Sequence, residues 1–566
     1  MLFAGRRGRH LREYATAYLM IAPAIALIFL FGIFPVGFAL YVSLHQWVIV
    51  RRDFIGLENY VAAVANLSYI VMFALGVGAL AGAWRLARQL RRDASGQPPS
   101  IWLLALPAAL HAAVVFAFFR WLFFQLPEFL EIANKMRGLE RTRALFARLL
   151  SEAFFAESVY PYWQQFAALL LAALGAGLLA AWLVRVAGNA EWQARFTLAW
   201  LALTAGVGLL AATYLAAEAA YAAALEAGTD PGIWPQLISV VSGVLLLLAA
   251  WRLWRSTPAE ASTRGFFLRL FGAVALMVGA VLLIIEIPTI VAAGDEDMWN
   301  GLKVTVFFSL GTIPVQLALG LVFAFVLFQR LAGSDLFRVL FFLPYVTPAV
   351  ASATVFRLMF SERQSAPMNT LLRWFGAEPQ LWLREPQGVI AMLAERLGLA
   401  GFPEAYLPAF LPADLARLLA GWLNGPSLAL VVILTLSVWT FVGYNTVIYL
   451  AGLGNISREL TEAAEIDGAS RWNVFRFITF PLLSPTTYFL SLVGVMGTFK
   501  SFNTIWVMRT GQALGTTDTF SIVVFQEFFE KSRYGYASAL AFVLFGIILV
   551  LTFINTRIQG SRVFYG

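Results

Sequence analysis

The stretch ELTEAAEIDGASRWNVFRFITFPLLSP, residues 459–485, lies between two long apolar segments and decides how the chain is interpreted. Its glutamates and alanines favour helix, and the alanines leave one helical face smooth. Gly468 tolerates the left-handed conformation that ends a helix, and Ser470 can cap a following helix. Pro481 and Pro485 then end that second helix. The stretch predicts two short helices that meet at a bend, on a surface between membrane spans.

The amino-acid composition indicates that much of the chain lies in a lipid bilayer. Of 566 residues, 60% are hydrophobic and 13% are charged, whereas soluble chains average about 45–50% apolar and about 25% charged residues. So much apolar surface requires a bilayer. The chain has no cysteine, which excludes disulfides, thiolate metal sites and thiol catalysis, and its three histidines lie far apart in the sequence. We therefore expect an integral membrane protein with no metal site and no catalytic residues.

The apolar runs are long enough for membrane-spanning helices, each of which needs about 20 residues. They are too long for the roughly 10-residue alternating strands of a barrel. We expect about twelve helices, at 16–41, 61–84, 101–125, 163–187, 195–224, 236–254, 267–293, 303–329, 337–360, 427–452, 485–507 and 537–557. Arginines recur in alternate connecting segments, which predicts that both termini are cytoplasmic. The fold class is therefore all-α, a polytopic helical membrane protein.

The bend within residues 459–485 carries a longer pattern of Glu-Ala-Ala, two residues, and Asp-Gly-Ala. Its residues are Glu462, Ala463, Ala464, Asp467, Gly468 and Ala469. This pattern resembles the EAA coupling loop of type I ABC importer permeases, in the maltose-type, MalF-like carbohydrate class. The resemblance extends to about 14–60 and 298–562, and includes Gly56-Leu-Glu-Asn-Tyr60. It implies a type I permease core with about six additional helices.

The resemblance also implies roles and partners. The six residues of the coupling loop would dock on an ATP-binding subunit and transmit its movement to the membrane helices. The implied partners are a second, MalG-like permease subunit, two ATPase subunits and an external solute-binding protein. No phosphate-loop pattern occurs in the sequence. This chain therefore has no cofactor of its own, and the partner ATPase subunits would bind ATP and Mg. Nucleic acid is not an expected partner.

Sugar recognition requires aromatic faces and hydrogen-bonding groups inside the membrane. Candidate residues come from the third to fifth core helices, and two of them, Tyr345 and Tyr444, align with cavity positions of maltose-type permeases. The full set is Tyr345, Ser437, Thr440, Tyr444, Asn445, Phe499, Phe502 and Asn503. Ordinary helix packing explains any one of them equally well.

The chain departs from the family pattern by a long insertion. We expect a cytoplasmic N-terminus and first core helix at 1–60, an accessory membrane domain of about six helices at 61–297, and a permease core at 298–566 with the coupling loop at 455–485. The inserted spans are rich in Ala, Gly and Leu, which allow close helix packing in lipid. The sequence assigns no chemistry to this insertion.

The function expected from the sequence is that of the permease subunit of an ATP-driven importer for maltose, malto-oligosaccharide or a similar sugar. The expected location is the cytoplasmic (inner) membrane of a bacterium or archaeon. Two alternatives stay open. The cargo could be another polar solute, such as glycerol phosphate or a polyol. In another class of function, the chain could be a membrane enzyme or an ion-coupled carrier centred on the inserted helices.

Overall fold

A computed structural model describes residues 6–94, 99–183, 189–256, 263–329 and 333–559. The predicted cytoplasmic termini are therefore only partly covered, because residues 1–5 and 560–566 lie outside the described residues, as does the end of the predicted span 163–187. The described chain forms two compact units. The larger, here called the permease unit, comprises Met1–Ala65 and Ser242–Gly566, and the smaller, here called the accessory unit, comprises Asn66–Val241.

The permease unit begins with one long apolar helix followed by a hairpin. The helix passes through a π-helical turn at Phe29–Ile33, and the antiparallel hairpin pairs Trp47 with Arg51. Asn59 closes this region, because its side-chain amide donates to the backbone carbonyls of Ser43 and His45 at 2.8 and 3.1 Å. The elements are α1 Arg6–Ile28, α2 Phe34–Ser43, β1 His45–Val48, β2 Val50–Phe54 and α3 Glu58–Val64.

The accessory unit consists of apolar helices that pack through glycine. A Cβ at Gly76 would meet the side chain of Leu210, and one at Gly206 would meet Leu80, so the two glycines allow their helices to approach closely. The helices are α4 Leu67–Ala94, α5 Ala105–Lys135, α6 Arg143–Phe154, α7 Tyr160–Leu183 and α8 Asn189–Glu226. The next helix, α9 Ile233–Ser256, contains residues of both units.

The remainder of the permease unit surrounds one central helix. This helix is α17, Leu428–Gly454, and most of the side chains along its first half are buried. The elements up to it are α10 Thr263–Ala293, α11 Glu296–Phe328, α12 Ser334–Val346, α13 Ala349–Met359, α14 Pro367–Trp374, α15 Val389–Arg396, α16 Ala413–Leu423 and α17 Leu428–Gly454. After it come α18 Arg458–Ile466, α19 Arg471–Val474, α20 Phe480–Leu482, α21 Ser484–Phe499, α22 Asn503–Met508, α23 Phe520–Phe525 and α24 Tyr534–Gln559.

The fold class expected from the sequence is confirmed. Among the described residues, ten helices are long and apolar enough to cross a membrane, and two further bent helix pairs raise the number to as many as twelve. Two expected spans are not continuous, however. The span predicted at 337–360 bends by 93° between α12 and α13, and the span predicted at 485–507 is interrupted after Phe499.

Proline explains the sharper bend. Thr347 has extended backbone and separates the two helices, and Pro348 follows it. Proline lacks the N–H that would continue the helix, and it pushes the preceding residue out of the helical region. A hydropathy pattern cannot detect this break, because both halves of the span are equally apolar.

Candidate coupling loop and translocation path

The bend of the coupling loop has the geometry expected of a glycine helix end. Gly468 has φ +81°, in the left-handed region that glycine adopts without steric cost. Its N–H donates to the carbonyl of Glu465 at 3.1 Å, and the N–H of Ala469 donates to that of Ala464 at 2.9 Å. This pair of bonds is the Schellman arrangement, which satisfies the last carbonyls of a helix. The predicted bend is therefore present, at the predicted residue.

Side-chain caps define where the two loop helices begin. Ser457 Oγ accepts from the N–H of Glu459 at the start of α18, and Ser470 Oγ accepts from the N–H of Asn473 at the start of α19, both at 3.3 Å. Serine is a preferred residue at such positions, because its oxygen satisfies an N–H that has no partner within the helix. These caps fix the directions of both helices relative to the bend.

The second loop helix is attached to the membrane core. Val474 is buried, and the ring of Phe475 packs edge-on against Phe325 of α11 with centroids 5.3 Å apart. The backbone then continues through a π-helical turn at Phe475–Thr479 into α20 and, across a bend of 58°, α21. The loop is thus joined to α11 by packing and to α21 by the chain.

The first loop helix presents an uncovered surface of mixed chemistry. The side chains of Leu460 and Ile466 are 49% and 87% exposed, which is a large apolar exposure for so short a helix. The carboxylates of Glu462, Glu465 and Asp467 are exposed, and none forms an ion pair with a described residue. Exposed apolar residues rimmed by charge are typical of protein interaction sites. Ala463 is exposed and Ala464 half-buried, which leaves a close approach to this face possible.

Two of the predicted path residues meet in the membrane core. The rings of Tyr345 on α12 and Tyr444 on α17 stack with centroids 4.8 Å apart and planes 26° apart. Phe441 contacts Tyr345 edge-on at 5.8 Å. Neither tyrosine hydroxyl makes a hydrogen bond to a described residue, and Tyr345 is 42% exposed. The pair offers an aromatic face and two free hydroxyls beside the break between α12 and α13.

Close backbone approach brings these two tyrosines together. A Cβ at Gly443 would collide with the backbone carbonyl of Phe341, so α12 and α17 touch through backbone at this level. Broken helices occur at membrane depth only where protein or a water-filled cavity satisfies the freed backbone groups. The tyrosine pair lies beside such a break.

The other predicted path residues do not join this pair in one cluster. Ser437, Asn445 and Phe499 are buried, and Thr440 donates its hydroxyl to the Leu436 carbonyl. Phe502 instead belongs to a separate aromatic group with Trp506 and Phe525, at 5.4 and 4.7 Å. Asn503, the first residue of α22, is exposed.

Sequence reasoning missed a polar stripe on α11. Its members recur every three or four residues, so they share one face of the helix, and all are buried. They are Thr305, Ser309, Thr312 and Gln316. Ser309 shares a hydrogen bond of 2.6 Å with Thr498 of α21, whereas Gln316 Oε1 has no hydrogen-bond partner among the described residues. The regular spacing was the signal that could have identified this stripe.

A charged network orders the segment between α22 and α24. Arg509 makes two hydrogen bonds to Asp518, at 3.1 and 3.0 Å. Burial raises the pKa of Asp518, and this arginine opposes the shift. Further along, Glu527 is 1% exposed and accepts from Lys531 at 2.8 Å, which raises the pKa of that lysine. These paired charges lie on either side of α23 in the segment between α22 and α24.

Residues 316–562 match a protein family described as the inner membrane component of binding-protein-dependent transport systems. A lactose transport system permease protein of Rhizobium radiobacter is 30% identical over 272 residues, which cover 47% of this chain and 78% of that protein. The chain belongs to this permease family. It is therefore an inner-membrane permease with several membrane-spanning helices, and its family consists of transport permeases.

Two further relatives show the range of cargo within the family. A trehalose/maltose transport system permease protein of Thermococcus litoralis is 27% identical, covering 47% of this chain and 76% of that protein. An sn-glycerol-3-phosphate transport system permease protein of Agrobacterium fabrum is 30% identical, covering 48% of this chain and 79% of that protein. The relatives' names thus include both neutral sugars and a phosphate ester.

Proposed function

We propose that this chain forms the translocation path for a neutral carbohydrate, such as maltose or a malto-oligosaccharide, in an ATP-driven importer. The observation that carries the proposal is the coupling loop. Its first helix is exposed and chemically suited to a partner, whereas its second helix is packed on α11 through Phe475 and Phe325. A lever of this kind would convert the movement of an ATPase subunit into a rearrangement of the core helices.

The chemistry near the tyrosine pair favours a neutral sugar over a phosphate ester. No charged residue occurs in α17 or in the stretch 339–356 that includes the break between α12 and α13. Recognition of a phosphate would be expected to use arginine or lysine side chains. The stacked rings of Tyr345 and Tyr444, with two free hydroxyls, suit the apolar face and the hydroxyl rim of a sugar ring.

The proposed assembly contains a second permease subunit, two ATPase subunits and a solute-binding protein. The first apolar helix, Glu13–Ser43, is evidence for a second subunit, because no residue of its most apolar stretch is buried within this chain. The acidic, partly apolar face of α18 would bind an ATPase subunit. In this arrangement the coupling loop and both termini lie on the cytoplasmic side, consistent with the arginines near the loop, Arg458, Arg471 and Arg476.

The coupling role can be tested with Gly468→Ala. A left-handed backbone costs a residue with a Cβ about 1–2 kcal/mol, so the bend will straighten in part and the loop will dock poorly. We expect ATP-dependent sugar uptake to fall roughly tenfold, a loss of about 1.4 kcal/mol in transition-state stabilisation, while the amount of protein in the membrane stays the same. Uptake of radiolabelled maltotriose into cells that carry the variant measures the effect.

Gly454→Ala is the matched control. Gly454 ends α17 shortly before the loop, it lacks a positive φ, and a Cβ there would meet nothing within 4 Å. Its uptake is expected to equal that of the wild type. If Gly468→Ala takes up as much sugar as Gly454→Ala, residues 462–469 do not have the proposed coupling role. Uptake of glycerol phosphate but not of sugar by the wild type would instead reject only the proposed cargo.

The competing class of function, an enzyme or ion-coupled carrier centred on the accessory unit, makes a different prediction. Transport would then depend on titratable side chains in that unit, such as His111 and Glu218, which lie on different helices. Glu218→Gln should leave uptake unchanged if the importer proposal is right. A loss of uptake in that variant, with ATP hydrolysis still present, would favour the ion-coupled carrier.

A further inference from the structure

The accessory unit contains a groove whose floor is made of alanine. The groove lies between α5, α7 and α8 and encloses about 450 Å³. Its α5 wall consists of Ala109, Ala112, Ala113, Phe116 and Ala117. Because alanine has no side chain beyond Cβ, the three helices leave a furrow that larger apolar residues would have filled. The exposed ring of Phe116 shows that the furrow opens at the surface of the unit.

A single cation lies at one end of this furrow. Arg120 is exposed, and its guanidinium carbon lies 4.8 Å from the ring centroid of Tyr162. Its only hydrogen bond within the described chain is a long one, 3.4 Å, to Gln165 Oε1, and it forms no ion pair with a described residue. An arginine inside an apolar span is costly unless a partner compensates its charge. The described residues of the accessory unit supply no carboxylate to this arginine.

The neighbours of Arg120 indicate its depth. Phe124, one turn further along α5, stacks on Tyr162 at 4.2 Å. Trp121 and Trp163 pack together with Phe154 of the short amphipathic helix α6. Such aromatic bands mark the membrane–water interface. An interface is therefore expected near Arg120, and the alanine furrow runs back from it along the apolar part of α5.

We propose that this groove binds an anionic phospholipid. Its phosphate would accept hydrogen bonds from the Arg120 guanidinium, and one acyl chain would lie along the alanine furrow. Charge complementarity selects an anionic headgroup, because a planar guanidinium binds phosphate oxygens well and no carboxylate among the described residues competes for it. The apolar walls select a hydrocarbon chain over a polar solute. This role is independent of the proposed transport function and gives the accessory unit a ligand of its own.

Native mass spectrometry of the full-length protein tests the headgroup contact. The probes are dioleoyl phosphatidylglycerol and dioleoyl phosphatidylcholine, which share acyl chains but differ in charge. We expect preferential retention of phosphatidylglycerol, and Arg120→Gln should lower that retention about fivefold, the effect of one basic residue near an anionic surface. Arg137→Gln removes the same charge from an exposed position just beyond α5, and it should retain the lipid as the wild type does.

A second pair of variants tests the acyl-chain contact. Ala113→Leu fills the furrow and should lower retention of phosphatidylglycerol, whereas Ala133→Leu, on an exposed part of α5, should not. Thermal unfolding by circular dichroism confirms that each variant is folded. Equal losses of phosphatidylglycerol retention in Arg120→Gln and Arg137→Gln would overturn the proposal, because they would mean that overall positive charge, and not a site at Arg120, retains the lipid. Equal retention of the two lipids by the wild type would also overturn it, because lipid binding would then not depend on the charge of the headgroup.

Discussion

The two units of this protein fill their interiors differently. The permease unit buries many polar side chains, among them the α11 stripe with Ser437, Asn445 and Thr446 of the facing helix α17. Among its described residues, the accessory unit buries only three polar side chains, Ser68, Gln125 and Thr213. Apolar packing through small residues is sufficient to hold helices together in lipid, so the buried polar groups of the permease unit require another reason.

The difference coincides with the limit of the family resemblance. The family matches residues 316–562, entirely within the permease unit, and the accessory unit at 66–241 lies outside that match. A path for a polar solute must offer hydrogen-bonding groups inside the membrane, and it retains them at a cost in free energy of folding. Among its described residues the accessory unit buries fewer such groups, which fits a role in contact with lipid rather than with cargo.

The largest effect is expected from a methyl group added at a helix crossing. Gly443→Ala places a Cβ against the Phe341 backbone, which cannot move aside, so α12 and α17 must separate. We expect a loss of stability at or above the upper end of the usual overpacking range, about 3 kcal/mol, and loss of uptake. Thermal unfolding of the purified protein and uptake of maltotriose measure the two effects.

Gly76→Ala is the matched variant in the accessory unit. A Cβ there would meet the Leu210 side chain at 2.9 Å, which can rotate, whereas the nearest backbone atom, the Gly206 carbonyl oxygen, is 3.3 Å away, so α4 and α8 need to shift only slightly. Its stability loss should be about 1 kcal/mol, with uptake close to that of the wild type. If both variants lose stability equally, the contrast between backbone and side-chain contacts at these crossings is wrong.

An intermediate effect is expected from removing one ring of the tyrosine pair. Tyr444→Ala deletes the partner that stacks on Tyr345, and with it the proposed sugar-binding face. We expect initial rates of maltotriose uptake to fall about tenfold, since aromatic contacts of this kind contribute about 0.5–1.5 kcal/mol beyond the burial of area. The measurement is the initial rate at several maltotriose concentrations.

The accessory unit offers a comparable pair in Tyr214 and Trp234, whose centroids are 5.8 Å apart. Tyr214→Ala should leave initial rates unchanged, because no cargo is expected to reach that unit. A similar fall in both tyrosine variants would mean that the effect is structural and that the pair at Tyr345 and Tyr444 binds no sugar.

The smallest and most selective effect is expected at a buried amide. Gln316→Leu removes an oxygen that has no hydrogen-bond partner among the described residues. Loss of such a group relieves a desolvation cost of about 1–3 kcal/mol, so the unfolding temperature should be unchanged or raised, while uptake falls severalfold. Gln193→Leu removes a similarly unpaired amide from α8 and should leave uptake unchanged. Lower stability of Gln316→Leu would contradict a role in the path.

Much of this architecture could be predicted from the sequence, for identifiable reasons. Long apolar runs define spans because lipid leaves the backbone no alternative to helix, and the bend at Gly468 follows from the conformations open to glycine. The α11 stripe was missed although its spacing is regular, because hydropathy averages over all faces of a helix. The domain boundaries at 61–297 stay a prediction, and the compact accessory unit comprises 66–241.

The sequence by itself determined that the chain is a membrane protein, which family its core resembles, and where the coupling loop bends. Each of these depends on local chemistry, namely apolar run length, a contiguous motif and a single glycine. Only the tertiary structure decided that Tyr345 stacks on Tyr444, that Phe475 joins the loop to Phe325, and that Arg120 lies beside an alanine furrow with no carboxylate partner in the part of the chain that the structure describes. These contacts join residues on different helices, and helix crossings depend on the packing of whole surfaces, which no local pattern encodes.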